Sequence, residues 1–242
     1  MKPAAYGVQK IFKEEVIMEQ KFAPSLMGMD LLNVQQQIEQ LNKYAYMYHI
    51  DLIDWHYAKN MCLSPQFIGE LRPITKVPLD VHIMVDNLDI DLIKEVIDAG
   101  GDIVSMPAEL IEKNVFKYIS FIKERGKKVG VVLNPATQLS AVSPYLRYVD
   151  LVTFMGVTPG FAKQKLVPEV LDKIREAISI REKKGYHFET QIDGGCHKES
   201  MKAIYETGVD VIIMGGTCLF SHSHDMDIAW KKMEEDFENW VL

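Results

Sequence analysis

Nowhere does this chain string together the roughly 18 consecutive apolar residues of a membrane helix. No basic stripe runs through it either: 27 lysines and arginines are scattered among 34 aspartates and glutamates, for a net charge of -7. Neither an anionic membrane nor nucleic acid is therefore an expected partner. A phosphorylated metabolite is still admitted, because backbone amides can bind a phosphate without a basic surface. Cysteine is scarce; Cys62, Cys196 and Cys218 form no CxxC pair and cannot all pair with one another, which points to a reducing, cytoplasmic setting. No Pro/Gly/Ser-rich linker and no low-complexity segment divides the chain, so one domain is expected over residues 21–242. Residues 1–20, "MKPAAYGVQKIFKEEVIMEQ", lack the apolar centre of a signal peptide and read as an extension outside the main fold, with Met18 an alternative start.

What the chain does have is an alternation: a short apolar run, then an amphipathic stretch of helical period, about every 25 to 30 residues. Eight rounds are expected. The strand candidates are "KFAPSLM" from Lys21, "YMYHIDLID" from Tyr46, "PLDVHIMV" from Pro78, "DIVSMPA" from Asp102, "KVGVVLN" from Lys128, "DLVTFMGV" from Asp150, "FETQIDGG" from Phe188 and "VDVIIMGG" from Val209. Several intervening helix candidates close on glycine, at Gly100, Gly126, Gly185 and Gly208. Eight βα units predict an α/β protein with a single (β/α)8 TIM barrel, for which ~250 residues is typical. A doubly wound open sheet shares the alternation, but no GxGxxG turn follows the first strand.

In a barrel the active site lies at the C-terminal ends of the strands. His49 and Asp51 are two residues apart on the second strand and share a face; His82 comes late in the third and Asp193 late in the seventh. A single buried His or Asp in a strand is ordinarily a hydrogen-bonded core group. Four of them at matching depth in three strands instead suit a divalent metal with room left for substrate oxygens. A second constellation is glycine-rich: "GVTPGFAKQ" after the sixth strand, "DGG" ending the seventh and "MGGTCLF" after the eighth. Glycine lets backbone amides approach an anion closely, and loops after strands seven and eight are the usual phosphate site of such barrels.

These blocks carry a resemblance. "APSLMGMDLL", "YHIDLIDWHYAKN", "LDVHIMV", "GVVLNPAT", "VTPGFAKQ", "IDGG" and "GGTCLF", in this order from about Phe22 onward, resemble the ribulose-phosphate 3-epimerase family, and within it the D-allulose-6-phosphate 3-epimerase branch. The resemblance implies a metal-dependent isomerase that inverts C3 of a ketose phosphate through an enediolate. One divalent ion (Zn, Mn, Fe, Co or Mg) would be held by His49, Asp51, His82 and Asp193, with Asp51 and Asp193 doubling as the acid/base pair. Ser25, Met84 and Met155 would contact substrate, Ile53 standing where a third methionine is usual; Gly160, Gly195, Gly216 and Thr217 would hold the phosphate. D-allulose 6-phosphate, interconverted with D-fructose 6-phosphate, is the first expectation for substrate; the pair D-ribulose 5-phosphate and D-xylulose 5-phosphate is the alternative, and a homo-oligomer, dimer or hexamer, is implied.

Four positions depart from the family pattern. Trp55 replaces a glycine, Lys59 a proline, Pro107 a histidine and Lys163 a glycine of the phosphate loop. Trp55 is expected either to fill space above the site or to swing outward onto a neighbouring subunit. Trp55 and Pro107 motivate a different reading, a barrel that binds a sugar phosphate without turning it over. A related decarboxylase would want a lysine on the second strand, and "HIDLID" has none. "FSHSHDMD" from Phe220, despite His222 and His224, reads as a segment capping the last helix.

Overall fold

The computed structural model describes residues 20–242, so the extension expected over residues 1–20 lies, apart from Gln20, outside the described residues. All eight expected strands form: β1 (Lys21–Pro24), β2 (Tyr48–Ile53), β3 (Leu79–Met84), β4 (Ile103–Pro107), β5 (Lys128–Leu133), β6 (Leu151–Met155), β7 (Glu189–Asp193) and β8 (Val211–Met214). Every pairing is parallel, in the order β1-β8-β7-β6-β5-β4-β3-β2. The remaining seam, β1 against β2, is bridged at Ser25 and His49 and by the Tyr46 N–H donating to the Phe22 carbonyl at 3.1 Å. The result is a nearly closed barrel.

Period-two alternation decides which side chains face inward. Ile50, Leu52, Val81, Ile83, Val129, Val131, Phe154 and Ile212 point out and join the main core with the helices. Ala23, Met47, Ile103, Leu151, Val211 and Ile213 form a separate cluster inside the barrel. Between that apolar plug and the mouth lies a polar layer: His49, Asp80, Ser105, Thr153 and Gln191 are all fully buried. Thr153 donates to Gln191 Oε1 at 2.7 Å, closing part of this layer.

The helices are α1 (Val34–Leu41), α2 (Pro65–Leu71), α3 (Ile90–Asp98), α4 (Ala108–Ile111), α5 (Val115–Lys123), α6 (Glu169–Lys184), α7 (Lys198–Tyr205) and α8 (Met226–Val241). Their starts follow capping chemistry: Ser64 accepts from the Phe67 N–H, Asp89 from Asp91 and Leu92, and Asp225 from Asp227 and Ile228. α6 ends on Gly185 in the left-handed conformation.

The expectation of eight equal βα rounds needs one correction. After β5 no α-helix forms, only the 3-10 turns Leu139–Val142 and Leu146–Tyr148. Pro135 and Pro144 supply no N–H in this stretch, and a proline inside a helix clashes with the preceding turn. Lys173, buried on α6, secures the same loop by donating to the carbonyls of Asn134, Pro135 and Thr137 at 2.9 to 3.0 Å.

Candidate active site

At the C-terminal ends of the strands opens a cavity of about 670 Å³. Ser25, Asp51, Met84, Met155, Gly160, Asp193, Gly195, Gly216 and Thr217 all line it. Every substrate or phosphate residue expected from the sequence is thus brought to one place. His49 and His82 lie beneath its floor, with no exposed surface.

His49 and Asp51 share the inward face of β2, and the β2–β3 register sets Asp51 beside His82. Asp193 arrives from β7. One ligand atom from each of His49, Asp51, His82 and Asp193 lies within 4.8 Å of all the others, the one such cluster among the described residues. His49 Nε2 stands 3.3 Å from Asp51 Oδ1 and 3.6 Å from Asp193 Oδ2; His82 Nδ1 stands 3.6 and 3.8 Å from the same two oxygens. Despite this proximity His49 Nε2 and both His82 nitrogens are buried without a hydrogen-bond partner.

A buried imidazole nitrogen left unpaired is costly unless something else satisfies it. Donors bonded to one tetrahedral ion at ~2.0 to 2.2 Å stand roughly 3.3 to 3.6 Å apart, close to the four histidine–aspartate separations seen here. Two imidazoles and two carboxylates therefore fit a divalent cation, as expected of this donor set. Without an ion the four groups act on one another electrostatically. Burial opposes charge on His49, but Asp51, together with contacts to Asp193 and Asp80, outweighs it and holds the imidazole pKa well above its ordinary value. Asp51 is held far below the usual carboxylate range: burial would raise it, and His49 and His82 overcome that.

Sequence reasoning missed the groups behind the ligands. Asp80 accepts from His49 Nδ1 at 2.8 Å and from the Ser105 hydroxyl. The first bond directs Nε2 toward the cluster, the carboxylate–histidine arrangement common behind metal ligands. Ser105 pairs in register with Gly130 on β5, and a β-carbon at Gly130 would collide with Ser105 Oγ. The signal was present: Asp80 precedes His82 by two residues on the same face of its strand. On the other side of the cluster Ser25 donates to Asp51 Oδ2 at 3.0 Å.

The glycine loops frame the upper cavity. Gly195 has φ +74, and a side chain there would press on the Leu166 backbone at 2.9 Å. At Gly216 an added β-carbon meets nothing within 4 Å, so that turn opens onto the cavity. It begins a five-residue π-helical turn, Gly216–Phe220, whose first N–H groups lack partners within the turn. Asn60 donates to the Gly160 carbonyl at 2.8 Å, tying the loop after β2 to that after β6, while Gln164 donates to Thr158 and Phe161 within the latter loop. Cys196 also lines the cavity, but burial pushes its thiol well above the ordinary range, so it offers no thiolate.

Of the departures, Trp55 swings outward. The residue is 53% exposed and absent from the cavity wall, with the Lys59 ammonium 5.8 Å from its ring centre. Pro107 is buried at the end of β4, where it leads into α4. Lys163 does line the cavity. His222 lies 3.6 Å from Asp236, and Asp225 caps α8, consistent with a capping segment. No helix among the described residues is long and apolar enough to cross a membrane.

Comparison with known proteins adds the lineage. The ribulose-phosphate 3-epimerase of Bacillus subtilis is 36% identical over 197 residues, spanning 81% of this chain and 90% of that protein. That of Treponema pallidum is 34% identical across 82% of this chain and 91% of its own, and that of Synechocystis 32% across 86% and 90%. Solved structures share the fold at low identity. KGPDC from Streptococcus mutans superposes with a TM-score of 0.67 at 10% identity, covering 91% of this chain and 98% of that one; 3-hexulose-6-phosphate synthase from Salmonella typhimurium gives 0.64 at 14%, covering 91% and 99%. The ribulose-phosphate 3-epimerase family model matches residues 21–220, the span that builds both the barrel and the cluster, and the chain belongs to that family.

Proposed function

We propose that this protein inverts C3 of a five-carbon ketose phosphate, interconverting D-ribulose 5-phosphate and D-xylulose 5-phosphate, with Asp51 and Asp193 as the acid/base pair. The observation that carries this reading is two carboxylates, from β2 and β7, converging on the floor of a cavity whose rim is made of glycine turns.

Inversion at C3 requires that a proton leave one face of the carbon and another arrive from the opposite face. Asp51 and Asp193 enter from different arcs of the barrel and both reach the cavity, so substrate seated between them meets a carboxyl on either side. One abstracts as carboxylate while the other donates as acid; the roles exchange for the reverse reaction. Ser25, bonded to Asp51 Oδ2, orients that carboxylate. The buried donor set of His49, Asp51, His82 and Asp193 would hold a divalent ion that, when bound, supplies Lewis-acid stabilisation of the charge developing on the ketose oxygens. Met84 and Met155 present apolar surface that keeps water from the carbon being inverted. Gly160, Gly195, Gly216 and Thr217, at the far end of the cavity, offer backbone and hydroxyl donors to the phosphate.

The relatives named above are all ribulose-phosphate 3-epimerases, which favours the five-carbon sugar over the D-allulose 6-phosphate that the sequence placed first. The six-carbon sugar is the second reading, motivated by the "SLMGMDLL" and "GFAKQ" stretches. Three unpaired cysteines favour a reducing compartment such as the cytoplasm. The test is proton exchange at C3 in heavy water, followed by NMR, on metal-supplemented protein with each sugar in turn. Deuterium entering C3 of ribulose 5-phosphate faster than of allulose 6-phosphate, with xylulose 5-phosphate appearing, is expected. Faster exchange into the six-carbon sugar would reverse the assignment; no exchange into either, with metal bound, would end the epimerase reading in favour of binding without turnover.

A further inference from the structure

Lys163 is a non-glycine residue with φ +65, in the left-handed region where a β-carbon is disfavoured. Such conformations persist where the surroundings hold them in place. Here they do: Gln164, its neighbour, donates to the carbonyls of Thr158 and Phe161 at 2.6 and 2.8 Å, and Asn60 clasps Gly160 from the loop after β2. The loop is folded back on itself, and Lys163 is carried on its bend against the cavity.

The charge inventory of that cavity is lopsided. Asp51 and Asp193 lie at its floor, and the protein as a whole is at -7. Among the lining residues Lys163 is the sole lysine, arginine or histidine. Its ammonium forms no ion pair among the described residues, as is true of other exposed lysines such as Lys76, Lys117 and Lys165; what sets Lys163 apart is its place on the cavity wall. An unpaired cation on a concave wall, opposite two carboxylates and beside open glycine turns, is suited to a dianion that lies with its charged end at the rim.

We propose that Lys163 is a specificity-determining residue, its ammonium engaging the phosphate of the substrate and so selecting phosphorylated over free ketoses. The assignment rests on the epimerase reading for the identity of the sugar, but not for the phosphate. The left-handed backbone keeps the loop in the shape that glycine would give it, and the side chain adds a mobile cation that backbone amides cannot supply. A point charge on a flexible stem tolerates sugars of different length between phosphate and C3, which an amide turn alone does not.

The test uses the full-length, metal-supplemented protein and two variants, Lys163→Gly and Lys163→Gln. Inorganic phosphate is titrated by calorimetry, and kcat/KM is measured for ribulose 5-phosphate and for free ribulose. Removing the charge of an exposed lysine at the rim is expected to weaken phosphate binding about two- to fivefold in both variants. The preference for the phosphorylated sugar should narrow by a similar factor, and the salt dependence of phosphate binding should flatten. The glycine variant, relieved of the left-handed strain, should melt no lower than the parent, which separates lost binding from lost folding. Phosphate affinity unchanged in both variants would overturn the inference, even where the parent epimerises ribulose 5-phosphate normally. Conversely, a parent that turns over neither ketose phosphate, yet binds phosphate in a Lys163-dependent way, would retire the epimerase reading and leave this one standing.

Discussion

In the proposed mechanism Asp51 and Asp193 do two jobs, ligation and proton transfer, and single substitutions separate them. Asp193→Asn keeps an oxygen donor but removes the base, so C3 exchange should fall about 10²- to 10⁴-fold, with metal content by elemental analysis falling far less. Equal losses in metal and activity would make Asp193 a ligand alone. Asp80 poses a subtler question. Held by His49 and Ser105 inside the barrel, it is fully buried and does not line the cavity. Asp80→Asn should weaken metal affinity about 10- to 100-fold, read by competition with a chelator, because the ring of His49 loses its anionic partner. Gly130→Ala would drive a methyl into Ser105 Oγ and should destabilise by about 1 to 3 kcal/mol. Adding Ser105→Ala should recover part of that loss, a coupling that a double-mutant cycle measures. Ser105 and Gly130 were hidden from sequence reading for a physical reason. A ligand declares itself by its type at a strand end, whereas Ser105 and Gly130 acquire a role only through cross-strand register.

The strands are anchored at their N-terminal ends by a repeated device. Asp102, Asp150 and Asp210 each stand just before an even-numbered strand, and each accepts the N–H of a residue at the start of the preceding one: Leu79, Val129 and Thr190. A cation supports each, Arg72 and Lys127 for Asp102, Lys123 for Asp150 and Arg181 for Asp210. For Asp210 burial alone would raise the carboxyl pKa, but the Arg181 guanidinium and the Thr190 N–H and hydroxyl hold it below its ordinary value. The sign follows. A carboxyl whose folded pKa lies below its unfolded one contributes stability above the unfolded value of about 3.9, and loses it as pH falls through the folded pKa. Asp210→Asn should therefore cost about 1 to 3 kcal/mol at neutral pH, measured by urea unfolding. The deficit should shrink below pH 4; a deficit independent of pH would assign the loss to hydrogen-bond geometry instead of charge. Strand positions were readable because alternation and β-branched residues encode them locally. The absence of a helix after β5 was not, since the apolar spacing of "QLSAVSPYL" survives as 3-10 turns once proline removes the ladder.

Closure of the barrel and assembly of the candidate metal centre are one event. The ligands come from β2, β3 and β7, so no segment holds the set alone, and long-range pairing must precede it. The weakest join in the ladder is β1 to β2, a single bridge at Ser25 and His49 and one backbone bond from Tyr46. His49 is also a member of the cluster, and Ser25 is tied to Asp51. An ion held there would consequently brace the seam. Removing it with a chelator should lower the melting temperature: an ion present at a thousand times its dissociation constant contributes about 4 kcal/mol. For a chain of this size that corresponds to roughly 8 to 16 °C. Amide exchange should rise first at the seam, in Tyr46, and least in β5 on the opposite arc, which neither carries a ligand nor pairs with a strand that does. A chelated protein that melts unchanged, or that exchanges evenly around the barrel, would show that the seam closes on its own hydrogen bonds and that the four side chains add chemistry without adding stability.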